Sequence, residues 1–159
     1  MDNVIAELKH SDRICKINLS FKDLSYDTVL PDTFLGGSAP RLRYLALTSI
    51  PFPGLSKLLL SATHLVRLWL VNIPHSGYIS PEAMVTCVSM LTSLEELYFQ
   101  FHSPQSCPDQ ESRRPLPPTH SVLPALRRFS FKGVNEYLEG LLARVDTPGL
   151  YRLSTNVLQ

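Results

Sequence analysis

Three large aromatic side chains alternate with apolar residues along this sequence. Tyr44 precedes Leu45, Trp69 lies between Leu68 and Leu70, and Tyr98 lies between Leu97 and Phe99. In a β-strand successive side chains point to opposite faces, so the leucines face a core and the aromatic rings face away from it. Tryptophan, tyrosine and arginine are the side chains that most often anchor protein interfaces. The chemistry that these positions favour is therefore binding.

The same alternation predicts which other side chains lie beside the aromatic rings. Arginine or lysine recurs at the outward positions of several strands, with Glu96 as the one acid among them. We predict a partner-binding surface on the concave face of a sheet, made of Tyr44, Arg67, Trp69, Tyr98, Arg128, Lys132 and Arg152. Two alternatives stay open: Trp69 covers the sheet without binding anything, or a further part of a longer protein packs there.

Residues that could catalyse a reaction show no local signature. The histidines are dispersed, with no pair four residues apart and no cysteine at metal-ligand spacing: His10, His64, His75, His102 and His120. Neither a glycine-rich phosphate loop nor a G-x-S-x-G nucleophile turn is present. We therefore expect no catalytic residue, no metal site and no cofactor.

Composition narrows the class of protein further. The chain has 159 residues, a net charge of +1 and 44% hydrophobic residues, enough for one domain with a substantial core. This charge does not favour nucleic acid or an anionic membrane as a partner. Its most apolar region, 55–73, is interrupted by Lys57, His64 and Arg67, so we expect no membrane span. The N-terminus does not resemble a signal peptide.

The cysteines indicate the compartment. Cys15, Cys87 and Cys107 are three scattered residues without a C-x-x-C pair. An odd, dispersed set is typical of free thiols in a reducing environment. We expect an intracellular protein, cytoplasmic or nuclear.

A short apolar motif, L-x-x-L-x-L, recurs along the whole chain. Five copies are complete and a sixth fails at its last position, Thr155. The copies begin at Ile14, Leu42, Leu65, Leu94, Leu126 and Leu150, with separations of 28, 23, 29, 32 and 24 residues. This uneven unit length is close to that of a leucine-rich repeat.

Helical patterns occupy the segments between the motifs. Ser80, Pro81 and Glu82 form a helix start, and Met84, Cys87, Val88 and Leu91 then share one face. A second apolar stripe runs along 134–145, a shorter helix is predicted within 52–62, a single turn within 30–37, and a first helix around Val4, Ile5 and Leu8.

These elements predict an α/β leucine-rich-repeat solenoid of about six irregular repeats, with parallel strands on the concave face and helices on the convex face. One domain spans 1–159, and residues 102–124, with six of the 13 prolines, form an inserted loop. An ordinary α/β sandwich is the alternative. The last unit exposes its apolar interior, so we expect fraying or self-association unless more chain follows.

Three stretches resemble the leucine-rich-repeat region of fungal F-box-like proteins: "LPDTFLGGSAPRL", "LLLSATHLVRLWLVNIPHSGYISPEAMV" and "LPALRRFSFKGVNEYLEGLLARVDTP". The resemblance covers most of 1–150, and "IPHSGYISPEAMV" is its most specific part. It implies the substrate-binding part of a ubiquitin-ligase adaptor. No F-box is visible here, so the chain is expected to be a fragment or a shortened paralogue. A Skp1-type linker is expected as a partner only if an F-box exists outside this chain.

The prediction for function is therefore non-catalytic recognition of a target protein on the concave face. A free-standing leucine-rich-repeat scaffold without a ligase link is the first alternative. An enzyme is the second, and it would need a closed pocket of polar residues that the sequence does not indicate.

Overall fold

A six-stranded parallel sheet dominates the computed structural model, which describes residues 14–20, 29–103 and 120–157. Its strands are β1 (Lys16–Ser20), β2 (Tyr44–Thr48), β3 (Arg67–Ile73), β4 (Glu96–Phe101), β6 (Arg128–Gly133) and β8 (Arg152–Val157). They lie side by side in chain order. Two further strands, β5 (Ser121–Val122) and β7 (Val145–Asp146), form a separate parallel pair. The chain is thus an α/β protein.

The recurring motif sets the register of the large sheet. Leu45 lies opposite Leu68, Leu68 opposite Leu97, and Leu97 opposite Phe129. Each of these four side chains is at most 4% exposed. A register slip of one residue would turn the whole apolar row to the other face, so burial of this row holds the strands in place.

Three α-helices in the described residues pack beside one another against the apolar side of this sheet. They are α1 (Leu55–Ser61), α2 (Pro81–Ser89) and α3 (Asn135–Leu142). Helix α2 contacts both α1 and α3, and the buried side chains of all three belong to the same core as the strand leucines. Each helix follows a strand, which is the connection that parallel strands require.

The start of α2 matches the sequence pattern. Ser80 is the N-cap, its Oγ accepts a hydrogen bond of 3.2 Å from the backbone N–H of Ala83, and Pro81 occupies the first turn. Met84, Cys87, Val88 and Leu91 are all buried, as the apolar spacing predicts. In α3, by contrast, Leu142 is 39% exposed, although it was expected on the apolar stripe.

Aromatic rings fill the core between α3 and the sheet. Tyr137 is 1% exposed and stacks on Phe99 and Phe131, with ring centroids 5.6 and 5.8 Å away. Its hydroxyl donates a hydrogen bond of 2.8 Å to the carbonyl of Ile79. The buried tyrosine therefore satisfies its polar atom and links α3 to the segment before α2.

Some expected elements take another form. The predicted turn within 30–37 is a 3-10 helix, Phe34–Gly37, in which Leu35 has a φ of 56°. A second 3-10 helix, His75–Gly77, precedes α2. The predicted first helix and most of the loop at 102–124 lie outside the described residues. Near the end of the predicted loop the structure has strand β5, which pairs with β7.

Strand β8 is the last strand of the sheet that the structure describes. All six of its residues are exposed, and Leu153, which pairs with Phe129, is 49% exposed. No described helix covers this strand. The apolar side chains of β8 are therefore open to solvent in the described part of the chain, while the expected fraying or self-association stays a prediction.

Candidate functional site

The two faces of the large sheet differ in chemistry. Along β4, Leu97, Phe99 and Phe101 are buried in the core, while Glu96 and Tyr98 point to the other side and are half-buried. We call this other side the open face; it carries the outward residues of β1, β2, β3, β4, β6 and β8. All seven residues of the predicted binding surface belong to these outward positions.

An aromatic cluster occupies the middle of the open face. Trp69 and Tyr98 are directly opposite each other in the register, with ring centroids 6.1 Å apart. The Tyr44 ring meets Trp69 from the other side, edge to face, at 5.9 Å. The structure thus brings together the three rings that the alternation placed on adjacent strands. Trp69 remains 37% exposed even with a tyrosine on each side.

Neighbouring residues fit around the cluster. Ala46 is the residue of β2 opposite Trp69 and is only 4% exposed, although it belongs to the open face. A small side chain here leaves room for the indole. At the far edge, the Nζ atom of Lys16 lies 4.9 Å from the centroid of the Tyr44 ring, a cation–π contact.

A row of charges crosses the sheet beside the rings. Arg67, Glu96 and Arg128 are partners in register on β3, β4 and β6. The Glu96 carboxylate lies 3.5 Å from Arg67 Nε and 3.1 Å from Arg128 Nη1. Its side chain is 16% exposed, against 52% and 53% for the two arginines. Glu96, expected as the one acid among these basic residues, therefore connects two arginines of the predicted binding surface.

Arg128 has a second partner. Its Nε donates a hydrogen bond of 2.9 Å to the hydroxyl oxygen of Tyr151, just before β8. This hydrogen bond, together with electrostatic interactions with Tyr151 and the Glu96 carboxylate, raises the pKa of Arg128 above its ordinary value. The guanidinium is therefore cationic at every accessible pH and is held in one orientation by two neighbours.

The two remaining basic residues of the surface are less constrained. Arg152 is exposed on β8, directly opposite Arg128, and Lys132 is half-buried on β6. Neither lies within ion-pair distance of a carboxylate in residues 14–20, 29–103 or 120–157. These two cations are therefore available to a partner.

A shallow depression of about 190 Å³ lies where the rings meet the charges. It is lined by Trp69, Glu96, Leu97, Tyr98, Arg128, Ser130, Arg152 and Ser154. One side is aromatic, and the other carries guanidinium and hydroxyl donors. Such a lining can hold an apolar group and an anionic group side by side.

A polar chain supports Tyr98 from the other direction. The Tyr98 hydroxyl donates to Gln100 Oε1 at 3.0 Å, and Gln100 Nε2 donates to Asn72 Oδ1 at 2.9 Å. Asn72 has a φ of 52°, and the β3–β4 register shifts between Leu70 and Ile73. The extra residue is a β-bulge, which turns the Asn72 side chain toward the open face.

Sequence reasoning missed parts of this arrangement. The alternation puts Glu96, Ser130 and Ser154 at outward positions, but it does not predict the part of Glu96 in the charge row or that of the two serines in the depression. The charge row could have been predicted from the register, because Arg67, Glu96 and Arg128 occupy the same position of the repeated motif. Tyr151 lies outside the alternating positions, and no sequence signal indicated it.

Other kinds of site were sought in the same residues. The described part of the chain contains no group of three or more histidine, cysteine or acidic residues that could hold a metal ion. It also contains no helix long and apolar enough to cross a membrane. A scan against protein-family models, a search of curated proteins and a search of solved structures each found no match to this chain. The open face is thus the strongest candidate site.

Proposed function

We propose that the chain is a leucine-rich-repeat solenoid whose open face, the concave one, recognises another protein without catalysing a reaction. Six parallel strands in chain order, five with the complete motif and β8 with an incomplete copy in the same register, support the repeat architecture. In such a stack each unit buries its leucines against the next. The outward side chains then form one continuous surface.

The observation that carries the proposal is the exposure of Trp69 in the centre of this surface. An indole left 37% exposed keeps apolar area in water, which a partner would cover. The adjoining Tyr44 and Tyr98 rings hold it in place, so little rotamer freedom is lost on binding. Arginines border it, as they border many interface anchors.

The resemblance to fungal F-box-like proteins supports a specific role. In that role the chain is the target-binding part of a ubiquitin-ligase adaptor, and a Skp1-type linker binds an F-box located outside it. The open face serves equally in a free-standing interaction scaffold. The two roles differ in whether the full gene product carries an F-box that binds the linker.

The experiment is an affinity pull-down with mass spectrometry from fungal cell extract. It compares the parent chain with Trp69→Ala, Trp69→Phe and Leu60→Ala. Leu60 is 49% exposed on α1, on the helix side of the sheet, so its variant removes a similar apolar side chain elsewhere. Thermal unfolding of each variant shows that it is folded before use.

We expect a set of proteins that the parent, Leu60→Ala and in part Trp69→Phe retain, and that Trp69→Ala loses. An F-box in the full gene product, outside this chain, would support the adaptor role over the scaffold. Identical protein sets from the parent and a folded Trp69→Ala would overturn recognition through the open face.

A further inference from the structure

We propose that the partner segment on the open face is an extended acidic peptide, with a carboxylate between Arg128 and Arg152 and an adjacent apolar side chain on Trp69. This inference rests on the proposed function and adds the chemistry of the partner to it.

The first observation is a pair of like charges. Arg128 and Arg152 are Cα partners on neighbouring parallel strands, and both side chains are exposed on the same face. Adjacent strands lie about 4.8 Å apart, and like charges directly opposite each other are unfavourable. Tyr151 and Glu96 engage Nε and Nη1 of Arg128, so an anion seated between the two guanidinium groups would accept hydrogen bonds from the remaining Nη2 of Arg128 and from Arg152.

The second observation is the charge balance of the open face. Its outward positions carry five basic side chains, Lys16, Arg67, Arg128, Lys132 and Arg152, and one acid, Glu96. The whole chain has a net charge of only +1, so positive charge is concentrated on this face. Glu96 is already paired with two arginines and cannot also neutralise Arg152. Charge complementarity therefore favours an acidic partner.

The third observation is the shape and chemistry of the depression. At about 190 Å³ it is smaller than the roughly 300–1,000 Å³ of most small-molecule pockets, and it is open to the surface. Ser130 and Ser154, which are partners in register, add hydroxyl donors beside the arginines. Trp69 and Tyr98 form the opposite side, and Glu96, whose carboxylate is paired with Arg67 and Arg128, also lines the depression. The space suits one acidic side chain followed or preceded by an apolar one.

The chain supplies its own reporter for a test, because Trp69 is its only tryptophan. The probe is acetyl-EDFEEFDE-amide, which contains no tryptophan or tyrosine. The matched control, acetyl-QNFQQFNQ-amide, keeps the length and the phenylalanines but has no carboxylates. Both are titrated into the full chain while the Trp69 emission is recorded.

We expect saturable changes in emission, with the acidic peptide binding at least about tenfold more tightly than the amide peptide. Arg152→Gln should weaken the acidic peptide about fivefold or more, and raising NaCl from about 0.05 to about 0.5 M should also weaken it. Lys57→Gln removes the same charge from the exposed surface of α1 and should change nothing.

Equal affinity for the two peptides would contradict the proposal that the partner is acidic, but it would remain consistent with recognition through Trp69. Absence of any response to the acidic peptide would overturn it as well. Tighter binding of a ten-nucleotide single-stranded DNA than of the peptide would assign the basic side chains to phosphates instead. The proposed function itself is tested separately, by the Trp69→Ala pull-down, so the two failures are distinguishable.

Discussion

Trp69 and Tyr98 are direct partners on neighbouring parallel strands, with ring centroids 6.1 Å apart and ring planes tilted by 46°. The contact joins β3 to β4 on the face that the core does not use. It also fixes the indole, because Tyr98 is itself hydrogen-bonded to Gln100. The exposed ring is therefore a supported part of the surface.

This ring contact should appear as an energetic coupling. In a double-mutant cycle, Trp69→Ala and Tyr98→Ala should show a coupling of about 1 kcal/mol in the free energy of unfolding, since aromatic pairs contribute that much beyond area burial. Urea denaturation of the four proteins measures it. The pair Trp69→Ala and Leu60→Ala, which are on opposite sides of the sheet, should be additive. Equal coupling energies in the two cycles would contradict a stabilising contact between Trp69 and Tyr98.

Burial of the repeated leucines should dominate stability. Leu68 is fully buried in β3, and Leu68→Ala should lower the free energy of unfolding by about 3 kcal/mol, as cavity-forming substitutions do. Leu60→Ala makes the same change at a site that is 49% exposed and should stay within about 0.5 kcal/mol of the parent. Chemical denaturation compares the two. A decrease of less than about 1 kcal/mol in the free energy of unfolding of Leu68→Ala would contradict a core built on this row of leucines.

Glu96 should stabilise the open face in a salt-dependent way. Glu96→Gln removes the charge that separates Arg67 from Arg128, so the unfolding midpoint should fall at low ionic strength. Most of the difference should disappear in about 1 M NaCl, where exposed charges are screened. Glu95→Gln alters the preceding, exposed carboxylate and serves as the control. A loss of equal size at both salt concentrations would argue against the charge row.

Cys87 should be unreactive until the chain unfolds. Burial raises the pKa of its thiol above the ordinary 9.0, outweighing a hydrogen bond with Ser56 that lowers it. In a Cys107→Ser background, a thiol reagent should modify the exposed Cys15 quickly and Cys87 only as fast as the protein opens. Equal rates for both thiols would contradict this burial.

The raised pKa of the Cys87 thiol determines how the stability of the protein changes with pH. The unfolded chain, with the lower thiol pKa, loses its Cys87 proton first as pH rises through 9.0. Stability from this group is therefore present below pH 9.0 and is lost as pH rises from there through the higher folded-state pKa. Cys87→Ala should show a shallower decline in stability above pH 9.0 than the parent.

Much of the sheet could be predicted because one short motif repeats in it. Burial of Leu45, Leu68 and Leu97 in a shared row follows from the L-x-x-L-x-L spacing, and so does the meeting of Trp69 with Tyr98. The start of α2 was predictable because Ser80 and Pro81 act locally, through hydrogen bonding and a fixed φ. Short-range rules and a constant register were sufficient for these elements.

Other features depend on contacts that no local pattern encodes. Tyr151 reaches Arg128 from outside the alternating positions, and the bulge at Asn72 depends on how β3 meets β4. Strands β5 and β7 have two residues each, too few for a periodic signal.

Site-specific photo-crosslinking tests most directly whether the open face binds a protein. Ser130, in the depression, and Thr86, exposed on α2, are each replaced by p-benzoylphenylalanine, and the two chains are irradiated in host-cell extract. We predict crosslinks from position 130 to a protein that Trp69→Ala no longer captures, and no crosslink to that protein from position 86. Crosslinks to it from position 86 and not from position 130 would contradict recognition through the open face.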